Sequence, residues 1–169
     1  MRGRIYVEAE KCLSCKRCKL ACAISHSRSG NLYEAIFEDP PPRSRIRLTL
    51  VGGATVPNAC RQCEAAPCMM VCPSKAISRC RALDPVVIDN EACVGCRSCV
   101  TVCPFGVPEM NQLRSSVIKC DLCIQRLDAG QVPACVEACH AGALVFNEED
   151  DETEPAAPAP RWAQRPNID

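Results

Sequence analysis

Sixteen cysteines of this chain fall into four groups of one design, and their spacing constrains the fold more than any other feature. The groups are Cys12, Cys15, Cys18 and Cys22; Cys60, Cys63, Cys68 and Cys72; Cys93, Cys96, Cys99 and Cys103; and Cys120, Cys123, Cys135 and Cys139. Each opens with C-x2-C and closes with C-x3-C. The first and third share the run C-x2-C-x2-C-x3-C, whereas the middle gap holds four residues in the second group and eleven in the fourth. This is an internal repeat carrying insertions. Of 17 cysteines in 169 residues, only Cys80 stands outside it. One Trp, three Phe and two Tyr leave little bulky material for an ordinary core. A small chain so composed needs a covalent or metal staple.

Disulfides fit poorly. The cysteine count is odd, and the start, MRGRIYVEAEKC, lacks an apolar leader segment, so a reducing cytoplasm is the expected location. Soft thiolates otherwise select zinc, copper(I) or iron–sulfur clusters. A structural zinc protein, the alternative of another class, normally uses two C-x2-C pairs separated by a longer loop, often with histidine. Here three cysteines crowd into seven residues (Cys12 to Cys18), which is tight for one tetrahedral ion and suits a cubane. A short loop reaches three iron corners, and the fourth corner needs a ligand from elsewhere.

The third group, CVGCRSCVTVCP, matches the run of two-cluster bacterial ferredoxins, Pro104 included. In that run the fourth cysteine serves the other cluster. The second group also ends in Cys–Pro (Cys72–Pro73), while the first ends in Cys22–Ala23 and the fourth in Cys139–His140. Neighbouring groups two and three should exchange fourth ligands, leaving groups one and four to pair across the chain. Four 4Fe–4S clusters are therefore expected. Cluster 1 takes Cys12, Cys15, Cys18 and Cys139. Cluster 2 takes Cys60, Cys63, Cys68 and Cys103. Cluster 3 takes Cys93, Cys96, Cys99 and Cys72. Cluster 4 takes Cys120, Cys123, Cys135 and Cys22.

The fold class that follows is α+β, with two nested bacterial-ferredoxin-like halves of short strands, cysteine loops and short helices. Short apolar runs predict strands at Ile5 and Val7, Ile46 to Val51, Val86 to Ile88, Val117 and Ile118, and Ala143 to Phe146. The first strand should lie beside the last. Helices are expected around each fourth cysteine. Residues 1–146 form the cluster domain, with 1–22 and 115–146 as one half and 58–110 as the other. Residues 23–57 form an inserted surface arm, broken by PPPR at 40–43, with a short helix near Leu32 to Phe37.

The 20 basic and 20 acidic side chains are unevenly placed. Residues 147–169 hold seven of the acids and two of the arginines, which marks an acidic, proline-rich tail and leaves 18 bases against 13 acids elsewhere. With oxidised thiolate-ligated clusters at about −2 each, that body moves from +5 to about −3. Lys11, Lys16, Arg17 and Lys19 would offset buried negative charge, with a docking patch for an acidic partner as the alternative. Cys80 reads as a small buried hydrophobe, and Met69 and Met70 as packing. His26 and His140 could tune a cluster, but sixteen cysteines already fill sixteen corners. The sequence shows no dinucleotide fingerprint, phosphate loop, haem motif or Ser-His-Asp arrangement. It carries no aromatic platform for nucleic acid and no apolar run of membrane-spanning length. The chain should move electrons and not transform a substrate by itself.

The four-group layout, with its long gap in the last group, resembles the four-cluster ferredoxin-like subunits of dimethyl sulfoxide reductase, formate dehydrogenase and hydrogenlyase complexes. ACAISHSRSGNLYEAIFEDPPPRSRIRL at 21–48 and ACRQCEAAPCMMVCPSKAI at 59–77 look most like a narrower branch. That branch holds the small subunit of tungsten aldehyde oxidoreductase and the ferredoxin that accompanies carbon monoxide dehydrogenase. The resemblance implies a wire between a catalytic subunit, bearing a tungsten or molybdenum pterin, and a second redox subunit or carrier such as a flavoprotein. A freely diffusing polycluster ferredoxin is the alternative within the same chemistry. Self-association into a longer wire is physically open. Trp162 in the tail is the expected anchor of a docking arm.

Overall fold

The computed structural model describes residues 3–80, 84–111 and 115–148. Among them are four two-stranded antiparallel sheets. Strand β1 (Gly3–Val7) pairs with the last strand, β8 (Leu144–Glu148), with Ile5 opposite Phe146 and Val7 opposite Leu144. The first and last segments are thus joined, as the nesting requires. Ile5 and Leu144 turn into the core.

The predicted strand ending at Val51 is β2 (Arg47–Val51), and it forms a hairpin with β3 (Ala54–Asn58). Gly52 and Gly53 both have positive φ, 56° and 84°, as a two-residue hairpin turn of this hand requires. Strand β3 is not expected from the sequence, because Pro57 sits inside it. The sheet has only two strands, so the missing N–H of Pro57 costs little at its edge. Strands β4 (Ile77–Ser78) and β5 (Val87–Ile88) make the third pair, and β6 (Glu109–Met110) and β7 (Val117–Ile118) the fourth. Strands β4 and β6 are two residues long, too short to leave a period in the sequence.

The helices are equally short: α1 (Arg17–Ser25), α2 (Leu32–Ala35), α3 (Pro67–Met70), α4 (Ser98–Val102), α5 (Ile124–Asp128) and α6 (Ala134–Glu137). Sequence reasoning centres a helix on each fourth cysteine. Instead the helices carry the third cysteines Cys18, Cys68, Cys99 and Cys135, and only α1 runs on through the fourth, Cys22. Proline explains two of these cases. A residue before proline is driven out of the helical region. Cys103, before Pro104, is extended at φ −73°, ψ 113°, and Cys72 precedes Pro73. Cys22 is followed by alanine, and α1 continues.

Helix α1 packs against α6, and α3 against α4. Two cores result. The first gathers Ile5, Cys18, Cys22, Ile46, Cys120, Leu122, Leu127, Cys135 and Leu144, joined by Ala59 and Val107 from the middle of the chain. The second gathers Ala66, Cys72, Ala76, Ile77, Val86, Cys99 and Val117. Cysteines are built into both.

Residues 23–57, expected as an inserted surface arm, run as a strap fastened to the body at several points. Ile46 and Ala35 are buried, and β3 lies against β1. Three alternate arginines pair with acids elsewhere. Arg45 Nη1 lies 2.7 Å from Asp121 Oδ2, and Arg43 and Arg47 both reach Glu109 on β6. The alternation gives the strap an extended repeat of period two whose charges face the body. Asn147 and Glu148, expected in the tail, extend β8 by pairing with Arg4 and Gly3. The rest of the expected tail, with Trp162, lies outside the described residues.

Cores this small, with cysteines among their buried residues, should not persist without what the cysteines bind. Anaerobic removal of the metal by a chelator is expected to abolish cooperative thermal unfolding and near-ultraviolet circular dichroism. A metal-free chain that kept a sharp unfolding transition would contradict a cluster-based core.

Candidate metal centres

The four C-x2-C loops share one backbone feature. The residue before the second cysteine has positive φ in all of them: Ser14 at 56°, Gln62 at 51°, Gly95 at 67° and Leu122 at 59°. Lys16 and Arg97 repeat a second left-handed residue at equivalent places ahead of α1 and α4, at 61° and 67°. A left-handed residue is costly for a bulky side chain such as Leu122. Successive left- and right-handed residues make concave nests of N–H groups, which favour anions such as thiolate-ligated clusters. Four separate segments adopting the costly conformation at one position point to a shared task. Gly95 has a further reason: a Cβ there would run into the Ser115 carbonyl oxygen.

The thiols converge in sets. Burial raises the pKa of Cys18, and the neighbouring Cys139, Cys15 and Cys12 raise it further. Cys135 is pushed well above the ordinary thiol range by burial and then by Cys120, Cys22 and Cys123. Cys99 is pushed up to about 11 by burial, with Cys93 and Cys96 among its neighbours. A cavity is lined by Cys72, Cys93, Cys96 and Cys99. Another is lined by Cys60, Cys63, Cys68 and Cys103, with Lys119 beside them. Thiolates brought this close repel one another, so a whole set ionises together only with cationic charge among them. The donor set, thiolate only and four at a time, fits iron–sulfur ligation.

Charge on one set is also felt in the next. Cys18 raises Cys135, Cys60 raises Cys120, and Cys68 raises Cys99.

Polar groups buried around the cysteines are few, and His26 and Asp121 each have several partners. His26 on the strap side of α1 is 3% exposed. Its Nδ1 lies 2.7 Å from the Cys22 carbonyl oxygen and 3.7 Å from Cys22 Sγ, and its Nε2 lies 3.0 Å from Asp121 Oδ1. Asp121 also accepts the Cys123 N–H at 3.0 Å. Burial opposes ionisation of Asp121, but Arg45 and His26 beside it hold its pKa far below the usual carboxylate range. The Arg45 N–H donates to Cys22 Sγ at 3.2 Å. Burial would raise Cys22, yet His26 and that N–H bring its pKa below the ordinary thiol value. His26, Asp121 and Cys123 lie close enough together to hold a metal ion. The carboxylate is already taken by Arg45, His26 and an N–H, so the trio reads as a hydrogen-bonded support of the cysteine site.

Several sequence expectations need correction here. Lys11, Lys16, Arg17 and Lys19 are all exposed, and Lys11 pairs with Glu8 at 2.6 Å. Solvent screens them, and the buried cations are Arg45, His26 and Lys119, which composition did not single out. Cys80 is exposed, not buried, because the chain leaves the sheet after Ser78. His140 is exposed as well. Met69 packs on the second core, while Met70 is 73% exposed.

Comparison with known proteins gives a consistent picture. Residues 51–149 match a family model described as "4Fe-4S dicluster domain". An "Iron-sulfur protein" of Rhodospirillum rubrum is 42% identical over 153 residues, covering 83% of this chain and 79% of the relative. A "Putative electron transport protein YsaA" of Escherichia coli (strain K12) is 42% identical over 146 residues, covering 85% and 88%. The B subunit of anaerobic dimethyl sulfoxide reductase from the same strain is 33% identical over 178 residues, covering 96% and 85%.

Two substitutions test the geometry. Gly95→Ala is expected to cost one cluster, read as about four iron atoms fewer per chain. Asp121→Asn leaves Arg45 and His26 buried without their carboxylate, a change of about 3–5 kcal/mol. Bleaching of visible absorption in guanidinium should then be at least about tenfold faster. Unchanged iron in the first variant, or unchanged bleaching in the second, would contradict these roles.

Proposed function

This protein belongs to the 4Fe-4S dicluster family, and on that premise we propose that it is a four-cluster wire between a catalytic oxidoreductase subunit and a second redox partner. The bound clusters supply one-electron reduction and oxidation; the chain supplies ligands, spacing and charge. The ligand sets proposed are Cys12, Cys15, Cys18 and Cys139 for cluster 1, and Cys60, Cys63, Cys68 and Cys103 for cluster 2. Cys93, Cys96, Cys99 and Cys72 would hold cluster 3, and Cys120, Cys123, Cys135 and Cys22 cluster 4. The observation that carries this reading is the gathering of the thiols into sets, two of which each line one cavity, with charge on one set felt in the next.

Those cross-set neighbours support the order 1–4–2–3 along the wire. Cys18 and Cys135 bring 1 beside 4, Cys120 and Cys60 bring 4 beside 2, and Cys68 and Cys99 bring 2 beside 3. Sets 1 and 3 at the ends carry the exposed ligands Cys15 and Cys96, beside the exposed Leu13 and Val94. Apolar contact next to a nearly bare ligand suits a surface where an electron enters or leaves.

A catalytic partner is supported by the relative that is the B subunit of a reductase. Likeness at 21–48 and 59–77 fits either a tungsten aldehyde oxidoreductase or a carbon monoxide dehydrogenase as partner, and the acidic, proline-rich sequence with Trp162 tips the reading to the first, a pterin subunit with tungsten or molybdenum. A reducing cytoplasm is the proposed location, where so many cysteines serve as metal ligands and not as disulfides.

Anaerobic purification of the native complex, with metal analysis, tests this reading. About sixteen irons per chain beside molybdenum or tungsten in a copurifying subunit is the expected result. About eight irons would refute four clusters, and a full complement of iron on a solitary chain would make it a diffusing shuttle.

A further inference from the structure

We propose that Lys119 sets the reduction potential of cluster 2, holding it above the value its thiolates alone would give. Lys119 follows β7 and precedes Cys120, and it is 4% exposed. Its ammonium reaches the Val86 carbonyl oxygen, the Cys120 carbonyl oxygen at 2.8 Å and Cys60 Sγ at 3.7 Å. Three acceptors thus surround the one side-chain nitrogen, matching the three N–H donors of a lysine ammonium. Among the described residues it forms no ion pair with a carboxylate.

A buried ammonium faced only by carbonyls carries a large desolvation cost. The negative charge that can offset it lies in the cavity it lines, among Cys60, Cys63, Cys68 and Cys103. When a thiolate-ligated cluster accepts an electron its negative charge grows, so a fixed cation beside it favours the reduced form. Inside a protein this attraction is screened far less than at the exposed Lys11 or Lys19.

The residue also stands where the electron must change halves. Its backbone leads into Cys120 of set 4, while its side chain touches Cys60 of set 2 and the Val86 carbonyl next to β5. One side chain therefore spans the narrow place between the two halves. Lys119 is a positioning residue and touches no ligand other than through hydrogen bonds. The inference rests on the ligand sets proposed above.

The test uses the full chain loaded with its clusters, and measures each midpoint by potentiometry with electron paramagnetic resonance, with iron counted alongside. Lys119→Met keeps length and removes charge, and Lys119→Arg keeps charge. In Lys119→Met one interior step should fall by at least tenfold in its reduction equilibrium, about 59 mV for one electron. The two end clusters should stay in place, and Lys119→Arg should restore most of the shift. If Lys119→Met fails to load iron, Lys119→Gln, which keeps two N–H donors without charge, takes its place with the same expectation. A fully loaded neutral variant with all midpoints unmoved would overturn the inference, as would an equal shift in Lys119→Arg. Fewer than four one-electron steps in the unaltered chain would instead overturn the four-cluster reading, and with it the assignment of any shift to cluster 2.

Discussion

Mutual repulsion of converging thiolates is the constraint on which the structure depends. Burial and the neighbouring Cys120, Cys22 and Cys123 all oppose ionisation of Cys135, and Cys18 meets the same opposition from Cys139, Cys15 and Cys12. A protein without a metal would separate such groups. This one instead adopts left-handed backbone at Ser14, Gln62, Gly95 and Leu122 to bring them together. Only a compact cationic core at the centre of each set makes that arrangement favourable. The same cores then replace the aromatic and aliphatic mass that the sequence lacks, which is why strands of two residues and helices of four suffice.

The strap at 23–57 acquires its purpose from this economy. A small body with two cores needs something to hold one against the other. Arg45 reaches into the first core to Asp121, and Arg43 and Arg47 reach Glu109 on β6. The two outer pairs are half exposed and contribute little singly. The inner one is buried with His26 and supports Cys22 through a backbone N–H. Position of a cysteine ligand and attachment of the strap are therefore one interaction.

Much of this was legible in the sequence, for a physical reason. Cysteine spacing is a direct record of what a cubane requires, so the four groups and the α+β fold could be read without a structure. The pairing of β1 with β8 followed from which groups were left to exchange ligands. Elements two residues long, such as β4 and β6, leave no periodic signal. The buried cations were also invisible. Lys119 and Arg45 look like any surface base in a chain where nearly a quarter of residues are charged, and only tertiary contacts separate them from Lys16 or Arg17. Helix position was misjudged at Cys103 although the decisive residue, Pro104, was in view.

The placement of buried charge would give the proposed wire an uneven landscape. Lys119 stands at the junction of sets 2 and 4, and Arg45 and His26 stand beside Cys22 of set 4. The exposed bases near Cys15 and Cys18 are screened. Interior positions are thus favoured for an electron over the ends. On the proposed cluster order, an electron entering at either exposed end would fall toward the middle and have to climb to leave. Such a profile stores charge between encounters, which suits a relay whose two partners work at different moments.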